Sequence, residues 1–341
     1  MQQQAFHKLP PNATESATVV NSVQPIAAEL VTSRDLASSP LSAESNQTCT
    51  AGTLKVLAEH FSFGGIQRFY EFASREVGLP MRFSIFLPAE AAMRPVPVVV
   101  FLAGLTCNEE TFAMKTGAQR AAARLGLALL APDTSPRGPL VEAIPTAKDD
   151  WDFGIGAGFY LDATLASWST HWRMESHIVD ELLPLACAKL PLRSDQVGIL
   201  GHSMGGHGAL TLALRHPHLF SSVSALAPIA APSQCAWGRK AFSRYLGDDQ
   251  AAWAAHDATE LIRSRGQAVF LDGILIDQGL DDKFLLDNQL KPELLAAACA
   301  EVGQPLNLRQ HVGYDHGYYF ISTFIEDHLA HHANVLSSGA R

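Results

Sequence analysis

The chain has 341 residues, 47% of them hydrophobic and 17% charged, which suits one large α/β domain or two medium ones and argues against wholesale disorder. A net charge of −9 without a basic stripe argues against nucleic acid and anionic membrane surfaces as partners, and no apolar run reaches the roughly 18 residues of a spanning helix. Five cysteines, at 49, 107, 187, 235 and 299, are odd in number, scattered and without a CxxC pair, so a reducing, cytoplasmic home is expected rather than a disulfide framework.

Residues 1–52 are rich in Ser, Thr, Ala and Asn and poor in periodic apolar content. They lack both the apolar core of a secretory signal and the Arg-rich pattern of a transit peptide. A disordered or loosely ordered extension is expected there, or else a mis-assigned start, with the folded domain over 53–341. "MRFSIFLP" alternates with period two and predicts a half-buried strand ending at Pro88, and "VPVVVFLAG" predicts a strand buried on both faces. "MKTGAQRAAARLG" reads as a helix closed by Gly126, and "LALLAPD" as the next buried strand. "HWRMESHIVDELLPLACAKL" reads as a long helix that Pro184 should kink or interrupt. "QVGILG", "SSVSALAP", "GILIDQG" and "LNLRQHV" supply four more strands. Alternation of this kind predicts a mostly parallel central sheet with helices on both faces.

Between two of these elements stands Gly201-His202-Ser203-Met204-Gly205, which fits G-x-S-x-G. In a nucleophile elbow the serine occupies a strained turn, so the residues two before and two after it must be small. A bare G-x-S-x-G is a weak signal, but this one follows the buried run "VGIL" and precedes the helical "ALTLALRH", the context such an elbow needs. The bland alternative is a small residue at a reversal. The amide of Met204, at the start of the helix, is one expected oxyanion donor. The amide of Leu105, in the loop leaving the 97–102 strand, is expected to be the other.

A serine nucleophile needs a base, and the chain order Ser, Asp or Glu, His narrows the choice. His207 lies in the elbow helix and is expected to face the sheet or a loop. His216 and His218 flank a helix end, where they would cap carbonyls. His328, His331 and His332 fall in the last helix and read as a solvated face, a metal site being disfavoured without carboxylate or cysteine partners. His316 sits in "HVGYDHGYYF", a loop between the last strand and the last helix, and is the expected base. For the acid, "GILIDQGLDDKF" offers Asp282, three residues beyond the strand-ending Gly279, with Asp281 a close competitor. Asp277 lies inside the strand run and reads as structural.

Taken together, "FLAGLTCNEETF", "APDTSPRG", "WDFGIGAGFYLDAT", "GHSMGGHGAL", "SALAPIAAPSQCAWGRKAFSRYLG", "IDQGLDDKFL" and "GYDHGYYFISTFIEDH" resemble the motif series of the S-formylglutathione hydrolase (esterase D) family. The likeness covers essentially all of 54–335. It implies an α/β-hydrolase fold, a glutathione thioester as the small-molecule substrate, a charge relay through Ser203, Asp282 and His316, no cofactor or metal, and a homodimer. It also favours Asp282 over Asp281. The G-x-G-x-G at 154–158 does not follow a strand or open a helix, as a nucleotide loop would. It is expected to be a flexible, aromatic-lined wall of a small acyl pocket. Cys107, two residues past Leu105, is expected either at the mouth of the site, where a thiol reagent would block substrate, or as a buried small residue.

Overall fold

In the computed structural model, which describes residues 52–338, the strands form one mixed sheet. In chain order they are β1 (Lys55–Ser62), β2 (Gly65–Ala73), β3 (Pro80–Leu87), β4 (Val96–Leu102), β5 (Ala128–Pro132), β6 (Leu192–His202), β7 (Ser222–Leu226), β8 (Ile274–Gly279) and β9 (Leu306–His311). Their spatial order is β1-β2-β3-β5-β4-β6-β7-β8-β9. From β5 to β9 all neighbours are parallel, while β1, β2 and β3 join antiparallel at one edge. The expected extension lies outside the described residues, Gly52 excepted.

The central strands are buried on both faces, which is why "VPVVVFL" and "VGILG" read as continuous apolar runs and not as alternations. The edge strand β1 has no buried residue, so its charged and apolar side chains follow no inside–outside rhythm. It and β2 were not legible as strands in the sequence. Their connection is a two-residue turn, Phe63 and Gly64, both at positive φ (48° and 78°), the type I′ geometry that suits the right-handed twist of a hairpin.

Two helical expectations change in detail. The single helix expected over 114–126 is two, Glu109–Lys115 and Ala118–Leu125, because Gly117 takes a left-handed conformation between them. Asn108 caps the first, accepting from the Glu110 amide while Thr111 reaches back to the Asn108 amide. Around Pro184 the helix widens into a π-turn over His177–Leu182, with the Leu183 amide bonding to Ile178 O, before resuming as Leu183–Lys189. The wider turn accommodates the residue that cannot donate.

The C-terminal helix, Tyr318–Ser338, corrects the reading of its histidines as a solvated face. His328 and His332 are fully buried against the sheet. His332 bonds Ser222 Oγ (2.6 Å) and Ser224 Oγ (2.9 Å) on β7, and His328 bonds Asp277 Oδ2 on β8 (3.0 Å). The sequence concealed this because the partners lie more than fifty residues upstream. Asp277 is buried and also takes a forked pair from Arg309 on β9 (2.6 and 2.5 Å) and a bond from His311 (2.9 Å). Burial alone would raise this carboxyl, but its bonds to His328, Arg309 and His311 hold it far below the ordinary carboxylate range. His216 likewise departs from its expected role: its ring bonds Glu175 Oε1 (2.7 Å) and not a helix carbonyl.

Candidate active site

The parallel strands β6, β8 and β9 all end at the same edge of the sheet, and each hands over to a loop that carries one candidate residue. At the end of β6, Ser203 is held at φ 57°, ψ −118°, a conformation that costs a non-glycine residue on the order of 1–3 kcal/mol. The turn is tight enough that a Cβ at Gly201 would fall 1.9 Å from Gly205 O, and one at Gly205 would fall 1.9 Å from Leu102 O. Glycine at both positions is therefore a steric requirement. Neighbouring backbone holds the strain in place: Ser203 N donates to Leu226 O (3.0 Å), and Ser203 O accepts from His207 N (3.0 Å) and Ile229 N (3.2 Å).

Of the two aspartates after β8, Asp282 is the one whose carboxylate reaches the histidine. His316 Nδ1 lies 2.6 Å from Asp282 Oδ2, while Asp281 is exposed and uses its backbone amide to bond Tyr314 O (3.0 Å). Asp282 is buried, and burial alone would raise its carboxyl. The His316 bond, the Phe284 amide on Oδ1 (2.8 Å) and Gln278 Nε2 on Oδ2 (3.1 Å) outweigh that and hold it below its ordinary value. An ionised carboxylate accepting at Nδ1 leaves His316 Nε2 as the free, basic nitrogen.

The sequence reading overlooked His202, the residue before the serine, because it sought histidines only downstream. Its ring packs against that of His316 (centroids 4.5 Å apart), and its Nε2 lies 3.0 Å from His316 O. Burial and the nearby His316 push its pKa well down, so it is neutral and Nε2–H donates to that carbonyl. Among the described residues no hydrogen bond links the Ser203 hydroxyl to His316. Such contacts are often long in ligand-free sites and tighten around substrate.

Met204 follows the serine directly, and the loop that carries Leu105 packs against it. Gly104 is packed so closely that a Cβ on it would lie 3.3 Å from Ser203 Cβ, which brings the loop after β4 against the nucleophile. Met204 is the first residue of the twelve-residue helix Met204–Arg215, whose N-terminus points its positive dipole end at the serine. Among the described residues no backbone carbonyl accepts from either amide.

The 154–158 segment, expected to be flexible, has each of its backbone amides paired. The amides of Gly154, Ile155, Gly156, Ala157 and Gly158 donate respectively to Tyr245 Oη, Ala147 O, Ser135 Oγ, Gly154 O and Thr134 O, at 2.7–3.1 Å. Five occupied donors cannot cradle a phosphate either. Cys107 is half-buried; its Sγ lies 3.6 Å from Tyr318 Oη, two residues past His316, and its carbonyl accepts from Thr134 Oγ1 and Arg137 Nη2. A line of aromatic rings leads outward from the base: Phe284 meets His316 edge-on (4.8 Å), Trp237 meets Phe284 (4.6 Å), and exposed Trp151 meets Trp237 (5.4 Å).

Comparison with known proteins agrees with this architecture. Residues 74–331 match the Esterase family. The S-formylglutathione hydrolase of Rattus norvegicus is 47% identical over 285 residues, 84% of this chain and 99% of that protein. That of Paracoccus denitrificans is 50% identical over 283 residues, 83% of this chain and 98% of that one. Among solved structures, an S-formylglutathione hydrolase from Agrobacterium tumefaciens superposes with a TM-score of 0.78 at 42% identity, covering 82% of this chain and 99% of its own. With identity at this level along nearly the whole length of these relatives, the chain belongs to the S-formylglutathione hydrolase family of α/β-hydrolase esterases.

Proposed function

We propose that the protein hydrolyses S-formylglutathione to glutathione and formate, with Ser203 as nucleophile, His316 as general base and Asp282 as its orienting acid. The substrate rests on the near-complete coverage of relatives carrying that name. The observation that carries the mechanism is the 2.6 Å bond between His316 and Asp282, formed beside a serine held in a strained turn.

In this reading His316 Nε2 takes the Ser203 proton as Oγ attacks the formyl carbon, and Asp282 stabilises the imidazolium that results. The oxyanion of the tetrahedral intermediate lies between the Leu105 and Met204 amides. Collapse breaks the C–S bond, and His316 returns its proton to the departing glutathione sulfur. Water, deprotonated by the same histidine, then attacks formyl-Ser203, and formate leaves as the serine regains its proton. His202 acts as a positioning residue by holding the His316 backbone.

The test is kcat/KM on S-formylglutathione beside an aryl acetate, for the wild type and Ser203→Ala. We expect a strong preference for the thioester, reduced at least about 10³-fold by the substitution. Preference for the aryl ester would move the assignment to a broad carboxylesterase, and activity surviving in Ser203→Ala would remove the serine from the mechanism. Among the described residues no helix is long and apolar enough to cross a membrane, and four free cysteines without a disulfide support a reducing compartment, the cytoplasm. The family also implies a homodimer, which the solution mass would decide.

A further inference from the structure

The 154–160 segment makes no contact that the proposed mechanism uses, yet it carries unusual backbone and unusual bonds. Phe159 and Tyr160 are consecutive bulky residues at positive φ, 48° and 52°. Side chains of their kind avoid that region unless the surroundings impose it. Both rings are fully buried.

What imposes the conformation is contact with both halves of the oxyanion site. On the elbow side, the neutral His207 ring donates from Nε2 to Phe159 O (3.1 Å), and Gly208 leaves room for the Tyr160 ring, against which a Cβ would come within 2.5 Å. On the other side, Tyr160 Oη donates to Ala103 O (2.8 Å), and Gly156 O accepts from the Thr106 amide (2.9 Å). Those two bonds grip the loop on either side of Leu105. Thr106 itself sits at φ 68°, so the loop is held in a shape it would not adopt unaided. Gly156 in turn is fixed by Ser135 Oγ on its amide, and a Cβ there would press within 3.2 Å of Thr106 Cα.

We infer that Tyr160 is a positioning residue for the oxyanion hole: its hydroxyl, acting through Ala103, sets the Leu105 amide at its working distance from the amide of Met204. Tyr160 touches neither substrate nor the reacting atoms in this scheme. Its effect falls on the transition state, because only there does the carbonyl oxygen need both donors. The inference rests on the proposed roles of Ser203 and Leu105.

Tyr160→Phe tests it, since the ring stays against Gly208 and only the hydroxyl goes. We expect kcat on S-formylglutathione and on an aryl acetate to fall together, roughly tenfold to a hundredfold, with KM little changed. Affinity for a trifluoromethyl ketone, whose serine adduct places an oxyanion between the two amides, should fall by a similar factor. Affinity for S-methylglutathione, a ground-state mimic, should hold, and the thermal midpoint should confirm that the variant is folded. Unchanged kcat would overturn the inference. So would equal losses of ketone and S-methylglutathione affinity, which would mean general loosening. Ser203→Ala run alongside separates the two failures: if it retains activity the serine mechanism itself is wrong, whereas an inactive Ser203→Ala with a fully active Tyr160→Phe removes only the positioning role.

Discussion

At the scale of single residues, the instructive pair is Asp281 and Asp282. In the sequence both follow the strand and both can ionise; the spacing from Gly279 favours Asp282 only narrowly, and the resemblance to a family strengthens that choice. The separation is made by backbone: Asp281 N is tied to Tyr314 O, which turns its side chain to solvent, and Asp282 becomes the cap of the short helix Lys283–Leu286, directed at His316. No local pattern encodes that choice, because the tie reaches across to the loop after the neighbouring strand. Asp282→Asn should therefore lower kcat/KM by roughly 10³–10⁴-fold, since an amide in place of the carboxylate no longer fixes the imidazole tautomer. Asp281→Asn should stay within about twofold of wild type. A large loss in the Asp281 variant would reverse the assignment. Ser203 and its glycines were legible because the elbow's pattern is spelled within five consecutive residues, where a Cβ at Gly201 would collide with Gly205 O at 1.9 Å, although the collision that forbids a side chain at Gly205 comes from Leu102 O on β4.

At the scale of elements, the sequence revealed β3 to β9, the edge strand β9 included, and missed β1 and β2. Burial imposes composition, and β1, open to solvent along its length, has little imposed on it. The inner face of the C-terminal helix was misread because its histidines look polar until their partners are known. Asp277 joins β8, β9 and that helix through Arg309, His311 and His328, and β8 and β9 run directly into the loops bearing Asp282 and His316. Replacing it by alanine would strand the buried His328 imidazole and leave the half-buried Arg309 with Asp327 as its remaining carboxylate partner. We expect Asp277→Ala to cost about 3–5 kcal/mol at neutral pH, read by denaturant titration. The carboxyl's folded pKa is depressed, so its contribution is present above its unfolded value and is lost as pH falls through the folded one. The gap between variant and wild type should accordingly narrow only in strong acid. A gap unchanged through that range as well would show that packing, and not charge, holds the three elements.

At the scale of the whole molecule, stability against pH should also carry the opposite signature from Glu109. This carboxyl is buried at the head of the helix Glu109–Lys115, and burial followed by the nearby Asp133 raises it to about 7. Between its unfolded value of about 4.5 and 7 the folded protein holds a proton that the unfolded chain has released, so stability falls as pH rises through that window. Glu109→Gln should then stabilise the protein by about 1–3 kcal/mol at pH 8 and by little at pH 5, read as a difference in thermal midpoint. An equal gain at both pH values would assign the effect to shape and not to ionisation. The fold class was legible at this scale because a mostly parallel sheet writes its alternation of strands and helices over the entire chain. The order in which those strands lie side by side was not, since it depends on crossovers that leave no trace in any one segment.

The line of rings running from His316 through Phe284 and Trp237 to Trp151 has an optical consequence. Trp168, Trp172 and Trp253 are buried, whereas the Trp151–Trp237 pair lies at the solvent end of a contact path to the proposed base. The two groups of indoles should differ in emission colour and in access to a soluble quencher. The protein thereby carries an intrinsic fluorophore one ring removed from the proposed base, and occupancy should be readable by emission alone, without a label.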